Sequence, residues 1–303
     1  MSRVRRMAKI GHLFAGVIRK IWFLFPNDKL YLQIIYFLEM GHVLNLKKPS
    51  KFTEKIQWLK IYDRKPVYTF VVDKITAKEY VANIVGSRFI IPNLGVWNNF
   101  DDIDFSLLPQ KFVLKTNHGS ASGGVLICKD KTTFNITEAK KKLEKGLRYN
   151  AYYKYREWPY MNIKPKIFAE ELLEMEKDEE LIDYKFFCFN GEPKFCQVIK
   201  DRRTKETIDF FDMEWKHLDF IGLNPKAEFS KIPPQRPTTL PQMIEVARKL
   251  STLAAFCRVD MYETGDTCYF GEITLYPASG IGKFNPITVD EMMGSMLSLP
   301  KIP

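Results

Sequence analysis

The spacing of apolar positions changes along this chain, separating a helical first third from a β-rich remainder. Residues 1–48 read as helical and close at Lys47-Lys-Pro49, a proline-marked boundary. Phe52, Ile56 and Leu59 recur at three- and four-residue intervals, one face of a further helix. Ile75, Tyr80, Val81 and Ile84 supply the apolar side of another, expected over 73–85. From about Phe112 short β-rich runs take over, predicting strands at 112–114, 125–128, 167–173, 184–189 and 194–199. The last two are joined by Asn190-Gly191-Glu192-Pro193, a hairpin signal because asparagine and glycine accept positive φ. A lysine-rich helix is expected over 137–149 and another over 240–255. A second hairpin pairs 257–262 with 267–274 and turns at Gly265-Asp266. Thr288-Val-Asp-Glu291 reads as a capping box opening the last helix. The fold class this predicts is α+β, with mixed or antiparallel sheets and helices on their faces.

Composition narrows the picture. With 303 residues, 46% hydrophobic, 27% charged and 14% aromatic, the chain can bury one large core or two modest ones, and disorder, collagen and coiled coil are excluded for most of its length. Apolar runs such as Ile21-Trp-Phe-Leu-Phe25 stop at five residues, against the about 20 of a spanning helix. The net charge of +10 invites a nucleic-acid reading, but Arg3, Arg5, Arg6, Lys9, Arg19 and Lys20 hold six of those charges in the first twenty residues, with no acid among them. The remainder is too weakly basic to require a polyanion groove, so no nucleic-acid partner is expected. Nor is that start a secretory signal, since its apolar stretch contains His12 and ends in Arg19-Lys20. It fits either an interfacial helix, touching a membrane through residues 1–25, or a helix whose stripe docks on the body. The five cysteines, Cys128, Cys188, Cys196, Cys257 and Cys268, are scattered and without a CxxC, which fits buried thiols in a reducing cytoplasm.

Two stretches carry candidate chemistry. In Lys111-Phe-Val-Leu-Lys115-Thr-Asn-His118-Gly119-Ser120-Ala-Ser122-Gly123-Gly124-Val125 a strand delivers a lysine into a glycine- and serine-rich loop. Such a loop exposes N–H groups and hydroxyls as a phosphate cradle does, although hairpins of this composition also occur without a ligand. It is no Walker loop, because a strand follows it. The second is Arg258-Val-Asp260-Met-Tyr262 beside Phe270-Gly-Glu272-Ile-Thr274, where alternation puts Arg258, Asp260 and Tyr262 on one face and Phe270, Glu272 and Thr274 on one face. A turn with an odd number of residues would set Asp260 and Glu272 opposite or on a near diagonal. Paired carboxylates among apolar residues call for a hard cation such as Mg²⁺ or for a basic partner, and a solvated sheet face bridged by Arg258 satisfies the same pattern.

Other features keep two readings each. Asp102-Ile-Asp104 matches a glycosyltransferase metal pattern or is a solvated connector. Arg156-Glu-Trp-Pro-Tyr160 suits sugar stacking or core packing. Lys200-Asp-Arg202-Arg203 suits an acidic substrate or a solvated turn, and Lys140 to Lys145 reads as a solvated helix face. Of the four histidines only His118 falls in a candidate site, with a structural role there as open as a catalytic one.

Taken in order, Phe52-Thr-Glu-Lys-Ile-Gln-Trp-Leu-Lys60, Val72-Asp-Lys74, Lys111 to Val125, Arg156 to Tyr160, Ala169-Glu-Glu-Leu-Leu173, Asp183 to Gly191, Arg258-Val-Asp260 and Gly271-Glu-Ile-Thr274 resemble the ATP-grasp enzymes. More narrowly, they resemble the teichuronopeptide-biosynthesis (TupA-like) branch of bacterial surface-polysaccharide proteins, over about Lys48 to Pro300. The resemblance implies two α+β lobes gripping nucleotide. The expected division is a basic helical segment (1–48), a pre-grasp region (49–105), a small lobe with the glycine-rich loop (106–170) and a large lobe with the metal site (171–303). It implies that Lys74 and Lys115 bind ATP phosphates under a loop of His118, Gly119, Ser120, Ser122, Gly123 and Gly124. Glu170, Glu171, Leu172 and Leu173 would form the hinge that meets adenine. Asp183 (or Glu179 or Glu180) would take the ribose, and Lys185 would face the triphosphate. Asp260 and Glu272 would hold Mg²⁺ with Arg258 at the reacting phosphate, and Thr274 stands where many members have an asparagine ligand. The implied activity is a cytoplasmic carboxylate–amine ligase working through an acyl phosphate on an acidic sugar or polysaccharide precursor and an amine acceptor. The alternatives are a nucleotide-sugar glycosyltransferase, an ATP-grasp kinase, and a membrane-surface module that has lost catalysis.

Overall fold

The structure, a computed structural model, describes residues 3–119, 124–173, 181–200, 206–224 and 226–302, with residues 3–8 as backbone only. Five helices come first: α1 (Arg3–Lys20), α2 (Asp28–Met40), α3 (Phe52–Tyr62), α4 (Pro66–Val72) and α5 (Thr76–Val85). Asn27 starts α2 by accepting the Leu30 N–H at 3.0 Å, and Gly41 ends it in the left-handed region at φ +80°. Tyr31, Leu32, Ile35 and Tyr36 of α2 are buried in the same apolar cluster as α3 and the larger sheet, so the first helices are part of the body. Phe52, Ile56 and Leu59 form the expected buried face of α3, but Thr53, Glu54, Gln57 and Lys60 are buried as well. The helix expected over 73–85 begins only at Thr76. Asp73 Oδ1 accepts the Ile75 N–H at 2.9 Å, which makes Asp73-Lys74-Ile75 a turn between α4 and α5.

The smaller sheet consists of β1 (Asn93–Trp97), β2 (Phe112–Thr116), β3 (Val125–Cys128) and β4 (Ile167–Glu171), antiparallel in the spatial order β1-β4-β2-β3. It starts at Asn93, ahead of the boundary expected at 106. Phe112, Leu114, Ile167 and Ala169 face an apolar cluster shared with Ala139 and Leu143 of α6 (Ile136–Leu147). The two-residue period leaves Val113, Lys115, Phe168 and Glu170 on the other face. After a short helix, α7 (Ala151–Tyr155), the chain returns through β4.

The larger sheet is also antiparallel. Its strands are β5 (Asp183–Phe189), β6 (Glu192–Lys200), β7 (Thr207–Phe211), β8 (His217–Leu218), β10 (Phe256–Thr264) and β11 (Thr267–Thr274), in the order β11-β10-β5-β6-β7-β8. A two-stranded ribbon joins β9 (Ile221–Leu223) to β12 (Lys283–Asn285). Helix α8 (Leu240–Ser251) covers the face of the sheet that carries Phe186, Cys188, Val259 and Met261, and α9 (Thr288–Met296) packs on α3. Asn190 and Gly191 take φ +50° and +87°, forming the expected β5–β6 turn. All five cysteines are buried and unpaired. The expected capping box is not formed: Thr288 already lies inside α9, whose N-cap is Ile287 without a side-chain bond. Asp290 turns inward instead and accepts both the N–H and the hydroxyl of Thr53, at 2.9 and 2.7 Å.

Candidate active site

The β10–β11 hairpin turns through two residues, Gly265-Asp266, and an even-numbered turn alone does not set Asp260 against Glu272. A bulge supplies the missing shift. Met261 pairs with Phe270 and Asp260 with Glu272, leaving Gly271 as the extra residue. Glycine suits this position, since a Cβ would come within 2.9 Å of the Tyr262 ring and 3.1 Å of the Asp260 carbonyl oxygen. The bulge also corrects the expected facing of Phe270. It falls opposite Met261 in the apolar core, and Glu272 and Thr274 share the other face with Arg258 and Asp260.

In register, Lys185 of β5, Asp260 of β10 and Glu272 of β11 form one row across three strands. Arg258 Nε donates to Asp260 Oδ1 at 2.6 Å and its Nη2 to Oδ2 at 2.7 Å. The same Nη2 lies 3.4 Å from Glu272 Oε1 and 3.2 Å from Thr274 Oγ1. Lys185 pairs with Asp260 and stands 3.7 Å from Asp183. From the turn after α4, Lys74 Nζ donates to the Gly119 carbonyl at 2.6 Å and lies 3.3 Å from Glu272 Oε2, so one lysine ties the small-sheet loop to the large-sheet carboxylates. Burial alone would raise Glu272, but Lys74, Lys185 and Arg258 outweigh it and hold the carboxyl at about 2. Burial likewise disfavours the Arg258 charge, and Asp260 reverses this and raises it.

A second ionic group lies on the small sheet. Glu170 pairs with Lys115, its diagonal neighbour on β2, and with Lys78 of α5 at 2.8 Å. Burial would raise Glu170, and the two lysines pull it below the usual carboxylate range. Lys78 also donates to the Ile91 carbonyl and to Asn93 Oδ1, at 2.8 and 2.6 Å. Sequence reasoning missed Lys78; its only signal is its position among Ala77 and Val81 on the buried side of α5. Gly119 and Gly124 bracket the loop because each packs on Thr116, whose Oγ1 would lie 2.2 and 2.5 Å from a Cβ at these positions.

The remaining candidates separate. Glu171 is exposed at the end of β4, and Leu172 and Leu173 follow it half-buried. Ser120, Ser122, Gly123, Glu179, Glu180, Asp201, Arg202 and Arg203 lie outside the described residues. His118 is buried with both ring nitrogens engaged, Nε2 2.7 Å from the Tyr149 carbonyl and Nδ1 3.0 Å from Asn117 Oδ1. That gives it a framework place in the loop. Arg156 is also framework: it is buried and donates to the Trp22 and Phe25 carbonyls at 3.1 and 2.6 Å. Asp102 and Asp104 cap short turns by accepting the N–H groups of Asn99 and Ser106.

Sequence reasoning also missed a buried polar support under the turn at Pro277–Gly280, which follows β11. Gln57 Nε2 donates to the Ser279 and Gly280 carbonyls, both at 2.9 Å, and Lys60 Nζ to the Ser279 carbonyl at 2.7 Å. Glu157 accepts the Ser279 hydroxyl. Burial pushes Lys60 down to about 8 against the pull of Glu157, and pushes Glu157 up. Ala278 and Ser279 both sit at positive φ, a strain that these bonds hold in place.

Among the described residues no three His, Cys, Asp or Glu side chains form a metal-binding group, so the oxygen set is two carboxylates and the Thr274 hydroxyl. No curated protein matches the chain. Among solved structures it is similar to a D-alanine–D-alanine ligase from Helicobacter pylori (14% identity, TM-score 0.44), covering 82% of this chain and 70% of that one. It is also similar to one from Bacillus anthracis (19%, TM-score 0.41), covering 69% and 58%. An ADP complex of PurK, an N5-carboxyaminoimidazole ribonucleotide synthetase, is similar at 15% identity and a TM-score of 0.41, covering 74% and 50%. The sequence model described as TupA-like ATPgrasp matches residues 54–298. That match takes in both sheets and most of the chain, which therefore belongs to the TupA-like family of ATP-grasp enzymes.

Proposed function

We propose that the chain is an ATP- and Mg²⁺-dependent carboxylate–amine ligase of surface-polysaccharide biosynthesis, joining for example an amino acid to a uronic acid in the cytoplasm. The observation that carries this reading is the convergence of Asp260, Glu272 and Thr274 oxygens around Arg258, with Lys74 reaching across from the small-sheet loop. These hard oxygen donors, all within 3.4 Å of one guanidinium nitrogen, suit a small divalent cation that completes its shell with phosphate and water. Asp260, Glu272 and Thr274 would hold Mg²⁺, which supplies neutralisation of phosphate charge.

Lys74, Lys115, Lys185 and Arg258 supply four positive charges, matched to a triphosphate. Each is paired within the chain to Glu272, Glu170 or Asp260, so phosphate binding exchanges partners without burying a bare cation. The backbone from Glu170 to Leu173 would meet adenine and Asp183 the ribose, while His118, Gly119 and Gly124 shape the loop. The substrate carboxylate then attacks the terminal phosphorus and ADP leaves. The acceptor amine adds to the acyl carbon, phosphate departs, and an amide remains. Positioning and charge neutralisation by Arg258 and the lysines are the protein's work in both steps. The role of Asp102 and Asp104 as turn caps weighs against the glycosyltransferase alternative.

The test is thermal stabilisation by ATP with Mg²⁺ against UDP-sugars, in wild type and in Lys115→Ala and Glu272→Ala. Ligand at a hundred times its Kd stabilises by about 2.7 kcal/mol. The reading expects an ATP shift that both substitutions abolish, followed by ADP release with a uronic acid and amine pair. A shift with UDP-sugar alone overturns it, and ADP release with a hydroxyl acceptor and no amine would identify a kinase.

A further inference from the structure

Helix α1 carries two apolar faces, and the body uses only one. Ala15 is buried and Ile18 and Trp22 pack on the core, with Trp22 stacked on Tyr153 at 4.2 Å. Gly11 marks the closest approach to α2, since a Cβ there would lie 2.3 Å from the Leu38 carbonyl oxygen. Glu39 of α2 clamps the same side, accepting from Arg19 at 2.6 Å and lying 2.9 Å from His12. The helix is thereby held in one rotational setting.

About a quarter-turn away, Ile10, Leu13, Phe14 and Val17 recur at the spacing of a single stripe and are 45, 65, 58 and 55% exposed. Phe23 and Leu24, each 62% exposed, follow the end of the helix. No described residue covers this stripe. Lys9 and Lys20 are exposed beside it, and Arg3, Arg5 and Arg6 belong to the same helix by sequence. The first acid along the chain is Asp28.

We infer that α1 lies in the interface of an anionic phospholipid bilayer, with Leu13, Phe14 and Val17 among the acyl chains and the basic residues on the headgroup phosphates. Charge complementarity selects this occupant. A second copy seated on the stripe would bring two acid-free basic helices together, whereas anionic headgroups neutralise them. Because the neighbouring face stays docked on α2, binding fixes the orientation of the whole body relative to the membrane and needs no unfolding of α1.

The test is co-sedimentation of the full chain with phosphatidylglycerol–phosphatidylcholine vesicles and with pure phosphatidylcholine vesicles. The variants are Leu13→Ser/Phe14→Ser for the stripe and Lys9→Gln/Lys20→Gln for the charge, with analytical ultracentrifugation in the absence of lipid. Since the altered side chains are solvent-exposed, all forms should melt alike. The expected result is binding to the anionic vesicles, weakened about tenfold or more by the stripe variant, and reduced by added salt and by the charge variant. Equal binding by the stripe variant and wild type, binding to neither vesicle, or a lipid-free dimer that the stripe variant dissociates would each overturn the inference.

Discussion

Replacing Asp260 with asparagine keeps the shape of the side chain and removes one charge from a buried group of cations. Asp260 is 1% exposed and is bonded by both Arg258 and Lys185, themselves 11 and 7% exposed. Without its charge those two cations face each other across two paired strands, with Glu272 and Asp183 as the remaining carboxylates nearby. Breaking a buried pair by neutralising one member costs about 3–5 kcal/mol. At about 2.1 cal/mol/K per residue the 303-residue chain has an unfolding entropy of about 0.6 kcal/mol/K, so the melting midpoint should fall by about 5–8 °C. Scanning calorimetry of Asp260→Asn against wild type, both ligand-free, measures this directly. Glu272→Gln is the contrasting variant. Glu272 is 35% exposed, and its cations retain Asp260 or the Gly119 carbonyl, so its ligand-free midpoint should fall by less than that of Asp260→Asn. Both variants should lose the shift produced by ATP with Mg²⁺. If Asp260→Asn melts with wild type, Arg258 and Lys185 are not held by Asp260 in solution, and the closed row of charges is refuted.

Because Glu272 is held at about 2 against an ordinary 4.5, its stabilising contribution is complete above pH 4.5 and is lost as the pH falls through that window. Urea midpoints of wild type should therefore fall between pH 4.5 and 2 more steeply than those of Glu272→Gln, and equal slopes would contradict the ion pairing. Lys78→Met should destabilise the small sheet by about 3 kcal/mol, and Lys115→Met less, because Lys78 remains on Glu170; chemical denaturation would show the order. Gly119→Ala forces a Cβ to within 2.2 Å of Thr116 Oγ1, while without that oxygen the nearest contact is Thr116 Cβ at 3.6 Å. Thr116→Ala should accordingly restore much of the stability that Gly119→Ala loses, as judged by the melting midpoint. Asp102→Ala with Asp104→Ala should lower stability by about 0.5–2 kcal/mol per lost cap and leave nucleotide binding unchanged, whereas loss of UDP-sugar binding would revive the glycosyltransferase alternative.

Local spacing alone determined a good deal of this protein. The β5–β6 turn at Asn190-Gly191, the buried face of α3 and the pairing of β10 with β11 follow from periodicity and turn chemistry, which act between neighbours in the chain. The ordered motifs were enough to indicate the family that the profile match shows. Tertiary structure decided what those rules leave open. Asp260 and Glu272 stand opposite each other because Gly271 bulges out of the ladder, an event invisible to strict alternation, which also placed Phe270 on the wrong face. Gln57 and Lys60 are polar and fall outside the Phe52, Ile56 and Leu59 set, yet they are buried because a turn more than two hundred residues later brings carbonyls to them. Lys78 escaped notice since its partner Glu170 arrives from a strand far along the chain. Thr288 is not the cap because α9 already includes it, and Asp290 in the same first turn accepts from the N–H and hydroxyl of Thr53, which is distant in the chain. For Gln57, Lys60, Lys78 and Asp290 a polar group was taken up by a distant partner that only the folded chain supplies, and an unpaired polar group in that position would have been costly.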